Sequence, residues 1–237
     1  MDTQKSVQYY LNKHLREKED LRATRERSGK YSPSQMGRCF RLQWYNKTNE
    51  PKSNPPDDRS LRVLAVGTLF HEFVQNIVKK EMDSQEAFCE LEHNLTTENV
   101  NGFVDILTED QVIEVKSQHS KSFWYMAKTN FDVERDKENN VYQAMCYAVL
   151  LKKESIRLVY ISKDDLCINE YVVPVNDKWR DKIADEILTL QNLKSLPDAL
   201  PRAFGGMEKK NKEGLYTECA YCDWAHSCAK AGGTAWT

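Results

Sequence analysis

The spacing of apolar residues in the first third of the chain predicts helices. Residues 4–27 are highly charged and predict a helix ending at Ser28, and the Ser/Pro entry at residues 32–33 predicts the start of a second helix. A Pro- and Asp-rich loop at residues 49–60 precedes a strongly amphipathic helix at residues 63–82. The apolar stripe of that helix, which we expect to face the core, consists of Leu69, Phe70, Phe73, Val74, Ile77 and Val78.

The following residues predict strands around one buried helix. Strand periodicity occurs at residues 87–95, in a hairpin at residues 102–117, and in a second hairpin that turns at Asp164 and Asp165. Between the two hairpins, an aromatic and irregular stretch precedes a helix at residues 140–153 that is apolar nearly all round. We therefore expect this helix to be deeply buried.

An amphipathic helix is predicted at residues 176–196, with Asn176 or Asp177 as its N-cap. The order of helices and strands indicates an α/β fold with a mixed sheet flanked by helices. We divide the chain into an N-terminal helical region at residues 1–60, a core at residues 61–196 and a cysteine-rich segment at residues 197–237.

Composition and charge narrow the possible classes of protein. No apolar run approaches the roughly 20 residues that span a bilayer, and no secretory signal is visible, so we expect a cytoplasmic protein. The net charge is only −2, but residues 1–47 hold eleven Lys and Arg against five Asp and Glu. This asymmetry permits a basic face that meets phosphates, and a solvated charged helix explains it equally well.

The hairpin at residues 102–117 carries charges where strands usually bury side chains. If its turn is symmetric about Glu109 and Asp110, Asp105 lies directly across from Glu114. Like charges in opposite positions destabilise a sheet unless a cation lies between them. A divalent metal ion bound by carboxylate oxygens would resolve this conflict.

Lys116 shares a face with Glu114, two residues away on the same strand. In phosphodiester hydrolysis, a metal ion polarises the phosphoryl group while an ammonium orients the water or offsets negative charge. Asp105, Glu114 and Lys116 are thus candidate catalytic residues. The alternative is that all three are solvated on the outer face of the hairpin.

Three further polar residues lie on predicted helices. His71, at the edge of the apolar stripe, is either a ligand facing a cleft or a boundary residue. Gln143 lies in the apolar helix and needs hydrogen-bond partners there, and Tyr147 shares its surface one turn later. The pair is either part of a site or a satisfied polar contact in the core.

The seven cysteines fall into two groups. Three lie inside apolar runs, where a buried thiol is the usual explanation: Cys89, Cys146 and Cys167. The other four are Cys39 and the Cys-x2-Cys-x5-Cys run of Cys219, Cys222 and Cys228. In a reducing compartment such spacing is more typical of a metal site than of disulfides.

Four motifs between residues 67 and 147 resemble the RecB-like branch of the PD-(D/E)xK nucleases: GTLFHE, GFVDIL, VIEVKS and QAMCY. The resemblance implies a restriction-endonuclease-like mixed sheet. It also implies that Lys116 is the catalytic lysine and that Gln143 and Tyr147 line a DNA-binding cleft. The implied ligands of Mg²⁺ or Mn²⁺ are His71, Asp105, Glu114 and the carbonyl of Val115, with Glu90 or Glu92 as a looser match.

The cysteine pattern is similar to that of the iron-sulfur subset of these nucleases, which includes CRISPR-associated exonucleases and stand-alone viral relatives. This resemblance implies a [4Fe-4S] cluster on Cys39, Cys219, Cys222 and Cys228, within a subdomain that joins the two ends of the chain. The alternative is a zinc site in which His226 replaces one cysteine.

The resemblance implies a metal-dependent DNA exonuclease that prefers single strands or ends. It would act in recombination or repair, phage replication or CRISPR adaptation, as a homo-oligomer or with a partner from one of these pathways. The alternatives are a structure-specific endonuclease and a non-catalytic scaffold that binds DNA ends. Near the site, Phe123, Trp124 and Tyr125 either stack on bases or belong to the core.

Overall fold

A five-stranded mixed sheet forms the centre of the computed structural model, which describes residues 6–127, 130–197 and 217–232. Only β3 and β4 are parallel, and each of the other neighbouring pairs is antiparallel. The predicted mixed sheet flanked by helices is therefore confirmed. In spatial order the strands are β1 (Cys89–Thr96), β2 (Asn101–Thr108), β3 (Gln111–Gln118), β4 (Ser155–Ser162) and β5 (Ile168–Pro174).

Helices cover both faces of the sheet. The parallel step from β3 to β4 requires a crossover, and the chain makes it through α4, α5 and α6. A 3₁₀ turn at Pro33–Gln35 precedes α2. The helices are α1 (Val7–Ala23), α2 (Phe40–Lys47), α3 (Asp58–Ser84), α4 (Ser120–Tyr125), α5 (Val133–Asp136), α6 (Glu138–Leu150), α7 (Asp177–Gln191), α8 (Thr217–Ala220) and α9 (Ala225–Lys230).

The main hydrophobic core lies between the sheet and α6. Seven residues of α6 are buried, as the sequence predicts, and α7 packs alongside through Trp179, Ile183 and Leu190. The side chain of Asn176 accepts a hydrogen bond from the Trp179 backbone N–H, so Asn176 is the N-cap of α7. Among the described residues, no helix is long and apolar enough to cross a membrane.

Helix α3 covers the other face of the sheet but buries less than its sequence predicts. It begins at Asp58, inside the predicted loop, because the carboxylate of Asp57 caps it. Val74 is buried, and Phe70 and Val78 pack beside it. The prediction is wrong for three residues of the stripe, because the apolar arc of α3 is wider than its contact with the sheet. These residues are exposed: Leu69 (64%), Phe73 (48%) and Ile77 (47%).

Two smaller expectations also differ from the structure. The second helix does not start at residues 32–33 as predicted. The backbone at Gly37 has a φ of 77°, which interrupts helical geometry, so α2 starts at Phe40. Cys89 and Cys146 are buried as expected, whereas Cys167 is exposed because it lies in the turn between β4 and β5. The domain boundaries stay a prediction. Residues 1–5, 198–216 and 233–237 of the two end regions lie outside the described residues.

A buried carboxylate connects the N-terminal region to the core. Glu186 of α7 is 3% exposed and accepts hydrogen bonds from the Gly37 backbone N–H at 2.7 Å and the Gln43 amide at 2.9 Å. Its second oxygen accepts from the Tyr142 hydroxyl at 2.5 Å. One side chain thus joins the segment before α2, α2 itself and α6.

We expect Glu186→Ala to lower the free energy of unfolding by roughly 3 to 5 kcal/mol, because three buried donors lose their acceptor. Urea denaturation followed by circular dichroism measures this loss. Asp185→Ala, on the exposed side of the same helix, is the matched control and should change stability by less than about 0.5 kcal/mol. Equal effects of the two substitutions would contradict the assignment.

Candidate functional site

The two strands of the predicted hairpin diverge at the carboxylates. Ile106 pairs with Ile113 and Leu107 with Val112, which is the predicted register, but the pairing ends there. Asp105 therefore does not form the expected cross-strand pair with Glu114. Instead, Asp105 Oδ2 accepts a hydrogen bond from the Val115 backbone N–H at 2.8 Å. This side chain replaces a ladder hydrogen bond, which opens the sheet at the site.

The sheet is also irregular on the other side of Asp105. The pairing of β1 with β2 is interrupted at Glu92, whose φ is 49°, a backbone conformation that non-glycine residues rarely adopt. The amide of Gln75 on α3 donates to Glu92 Oε1 at 2.6 Å and to the Asp105 carbonyl at 2.9 Å. Glu92 is thus held beside the site, whereas Glu90 Oε1 lies 2.9 Å from Nδ1 of His93.

The motif side chains converge at this opening. His71 Nδ1 lies 3.5 Å from Asp105 Oδ2, so α3 faces β2 at the site. The ammonium of Lys116 forms an ion pair with Glu114 and lies 3.3 Å from Gln143 Oε1. The amide of Gln143 in turn donates to Glu114 Oε1 at 2.7 Å. Two helices and two strands therefore bring His71, Asp105, Glu114, Lys116 and Gln143 together.

Burial controls the protonation of Glu114, which is fully buried. Loss of solvation raises the pKa of Glu114 to about 7, the ammonium of Lys116 opposes this rise, and the charge of Asp105 adds to it. Burial alone would lower the pKa of Lys116, but the charges of Glu114 and Asp105 outweigh it and raise that pKa. Lys116 thus supplies the positive charge that the two carboxylates need.

Carboxylate oxygens and an imidazole, the donor types of this site, are ligands that a hard divalent cation accepts. Glu114 Oε2 is buried and has no hydrogen-bond partner among the described residues, so it is available to a ligand. In the described part of the chain, no three His, Cys, Asp or Glu side chains converge closely enough to hold an ion. His71, Asp105 and Glu114 approach such a set, while Glu114 Oε1 is held by Lys116 and Gln143.

A cavity of about 370 Å³ adjoins the site and is lined by Gln143 and Tyr147. Tyr147 is only 2% exposed, and burial raises the pKa of its hydroxyl. Gly102 makes this packing possible, because a Cβ there would lie 2.6 Å from the Tyr147 hydroxyl. Sequence reasoning overlooked Gly102, although a glycine inside a strand signals close approach. It also overlooked Gln75, for which no sequence signal exists.

The four candidate cluster cysteines line one cavity, together with Arg41 and Glu218. Burial, followed by neighbouring negative charge, raises the pKa of Cys219 and Cys222 to about 12 each. Burial likewise raises the pKa of Cys39. The thiols are therefore close enough to disfavour one another's ionisation, and a bound cation would reverse that effect. His226 is not among the lining residues.

Charged side chains attach the C-terminal segment to the region around α2. Glu218, 2% exposed, accepts hydrogen bonds from the Cys39 backbone N–H at 3.1 Å and from Arg38 at 3.2 Å. Arg41 donates to the Ala231 carbonyl at 3.0 Å and lies 3.8 Å from the sulfur of Cys228. The described segment is thus joined to the N-terminal region around the cysteine cavity.

The aromatic residues of α4 differ in their surroundings. Phe123 is 1% exposed and belongs to the main core, whereas Trp124 and Tyr125 are 53% and 48% exposed. The core alternative therefore applies to Phe123. Stacking of the other two on bases stays a prediction.

The fold is similar to those of known structures at low sequence identity. No protein-family profile matches the chain, and no curated protein sequence matches it. A structure described as SSO0001 aligns with a TM-score of 0.53 at 18% identity and covers 93% of this chain and 95% of its own. This likeness shows that the fold is shared.

Two exonuclease structures align more weakly. An alkaline exonuclease from Laribacter hongkongensis has a TM-score of 0.49 at 13% identity and covers 69% of this chain and 86% of its own. A phage-related exonuclease from Haemophilus somnus 129PT has a TM-score of 0.35 at 12% identity and covers 51% and 66%.

We expect burial of Glu114 to make the metal-free protein less stable at high pH. In the folded protein the pKa of Glu114 is about 7, above the ordinary value of 4.5. This difference contributes its full stabilisation of the folded state below pH 4.5, and the stabilisation is lost as the pH rises through 7. Relative to the original protein, the free energy of unfolding of Glu114→Gln should rise by about 2 to 3 kcal/mol between pH 5 and pH 8. Urea denaturation in EDTA at pH 5 and at pH 8 measures this difference in stability. A difference that is the same at both pH values contradicts the prediction.

Proposed function

We propose that this chain is a metal-dependent DNA exonuclease that hydrolyses phosphodiester bonds. The observation that carries the proposal is a buried Glu114 with one unpartnered oxygen, beside Asp105, His71 and the ammonium of Lys116. Such a group stabilises the fold poorly, because two carboxylates are desolvated around a single lysine. It is well suited to hydrolysing a phosphodiester.

Each side chain has a role in this proposal. A divalent cation held by His71, Asp105, Glu114 and the Val115 carbonyl would polarise the phosphoryl group and favour deprotonation of the attacking water. Lys116 orients that water and offsets the negative charge that develops on the phosphoryl oxygens. Gln143 positions the ammonium by its contacts with both Lys116 and Glu114.

The DNA strand is proposed to enter through the cavity beside Gln143 and Tyr147. Arg27 and Lys30 line the same cavity, and cationic side chains contribute most of the affinity of proteins for phosphate backbones. Lys30 also donates to the Thr97 carbonyl, so its ammonium has a defined position. The exonuclease mode rests on the motif resemblance.

A [4Fe-4S] cluster on Cys39, Cys219, Cys222 and Cys228 is the second part of the proposal. The four thiols line one cavity and His226 lies outside the lining, which favours a four-cysteine site over the zinc alternative with His226. The cluster would join both ends of the chain. Its role would be structural.

A nuclease assay on end-labelled single-stranded DNA with Mn²⁺, Mg²⁺ or EDTA tests the activity. Products shortened one nucleotide at a time support an exonuclease, whereas internal cuts near junctions or flaps support the endonuclease alternative. If the metal-loaded protein binds DNA but does not cleave it, the result supports the alternative of a non-catalytic scaffold that binds DNA ends.

We expect Lys116→Ala to reduce cleavage at least about 100-fold, because the phosphoryl charge loses its stabilising ammonium. Affinity for DNA, measured by fluorescence anisotropy, should change little. Lys178→Ala, an exposed lysine of α7, is the matched control and should cut at the original rate. Cleavage by Lys116→Ala at the original rate would show that Lys116 has no catalytic role.

We expect the protein purified without oxygen to be brown and to contain about four iron atoms and four acid-labile sulfides per chain. Cys222→Ser should lose most of this iron and unfold at a lower temperature. His226→Ala is the control and should retain both the iron and the melting temperature. Stoichiometric zinc in a colourless protein would instead support the zinc alternative.

A further inference from the structure

The cavity at the candidate active site continues into a larger groove of about 1160 Å³. Arg27, Ser32, Ser34 and Asn46 line both spaces, so the two are contiguous. From there the groove runs between the C-terminal part of α1, the Pro-rich segment before α3, the first turns of α3 and the residues that follow α8. None of the motif residues lines this groove, so the proposed catalytic chemistry does not account for it.

Three arginines line the groove. Arg22 and Arg59 are exposed and form no ion pair within the described ranges 6–127, 130–197 and 217–232. Arg27 lies 5.3 Å from the ring centre of Trp224 and donates to the Glu50 carbonyl at 3.3 Å, which fixes it at the junction of the two spaces. Their charges are therefore available to an anionic ligand.

The acidic residues of the groove already have partners. Lys52 forms ion pairs with Glu19 at 2.9 Å and Asp223 at 3.2 Å. Asp57 caps α3 through the Ser60 backbone N–H at 2.7 Å, where the positive end of the helix dipole balances its charge. The groove thus keeps a net positive charge, because four cationic side chains (Arg22, Arg27, Lys52 and Arg59) line it against three carboxylates (Glu19, Asp57 and Asp223).

The groove also exposes apolar surface suited to the faces of bases. Tyr221 is 81% exposed, and Val63 and Leu64 on α3 are 53% and 55% exposed. Arginines beside an exposed aromatic ring match the two parts of a single strand, its phosphates and its unstacked bases. In a duplex the base faces are covered, so Tyr221 would have no partner there.

We propose that this groove binds single-stranded DNA several nucleotides beyond the candidate active site. Phosphates contact Arg22, Arg27 and Arg59, and a base stacks on Tyr221. The assignment of this strand as the nuclease substrate rests on the proposed function, whereas the binding itself does not. The ligand is a nucleic acid and not an acidic peptide, because Tyr221 lies in the groove with the arginines and a stacked base uses both.

The test compares two lengths of fluorescein-labelled single-stranded DNA, four and twelve nucleotides, by anisotropy in EDTA so that no cleavage occurs. The variant is Arg22→Ala, Arg59→Ala and Tyr221→Ala combined, because these side chains are exposed and their loss should not unfold the protein. Arg27 is left intact because it contacts Trp224. The control is Arg180→Ala, an exposed arginine that lines neither space.

We expect the original protein to bind the twelve-nucleotide strand more tightly than the four-nucleotide strand. In the combined variant, the ratio of the affinity for twelve nucleotides to the affinity for four should be at least tenfold smaller. The slope of log K against log salt should also become shallower by about 1.4, because two phosphate contacts are lost. Tyr221→Phe should bind as the original protein does, because the ring and not the hydroxyl stacks.

A combined variant that keeps the length-dependent gain overturns the proposal, as does equal weakening of a twelve-base-pair duplex or a similar loss in Arg180→Ala. Stronger competition by a poly-glutamate peptide than by DNA also overturns it. Absence of cleavage in Mn²⁺ together with the expected anisotropy result would refute the nuclease function and leave the groove assigned to DNA. Cleavage in Mn²⁺ by the original protein, together with a combined variant whose length dependence is unchanged, would support the nuclease function and refute the assignment of the groove.

Discussion

The structure depends on the burial of two carboxylates around one ammonium at the point where β2 and β3 separate. Burial disfavours the charged form of Glu114, the neighbouring charge of Asp105 adds to this cost, and Lys116 offsets only part of it. The surrounding irregularities follow from this constraint. The Asp105 side chain accepts a hydrogen bond from the Val115 backbone N–H, and the Gln75 amide donates to the Asp105 carbonyl, so these two backbone groups have partners where the strands separate.

The periodicity of apolar residues was sufficient to predict the elements whose surroundings are the same along their whole length. The hairpin register and the burial of α6 follow from alternation and from an all-round apolar helix, and the structure agrees with both. The width of the apolar arc on α3 does not indicate how much of it is covered, which depends on neighbouring elements. Leu69, Phe73 and Ile77 were therefore predicted wrongly.

The candidate site was partly predictable for a similar reason. Charges in the middle of a predicted hairpin signal a conflict that the local sequence can reveal, which is why Asp105, Glu114 and Lys116 were singled out, although the structure does not pair Asp105 with Glu114. The contribution of Gln75 and the positive φ of Glu92 depends on the approach of α3 to β1, a tertiary contact. The same holds for Glu186, whose three partners come from distant parts of the chain.

The described C-terminal segment contributes to two sites at once. Its cysteines line the candidate cluster cavity, and Tyr221 and Trp224 line the groove. Loss of the proposed cluster would therefore affect both the stability of the fold and the surface proposed to bind DNA. The stacking of Trp224 on Tyr45, at 6.2 Å between ring centres, is the contact that connects the two.

That indole also donates to the carbonyl of Glu50, 174 residues earlier in the chain. At the usual rate of translation of about 5 to 20 residues per second, roughly 9 to 35 s separate the synthesis of these two partners. Leu42 and Tyr45 of α2 belong to the hydrophobic cluster that Trp224 completes, so this cluster cannot close until the C-terminal segment has been synthesised.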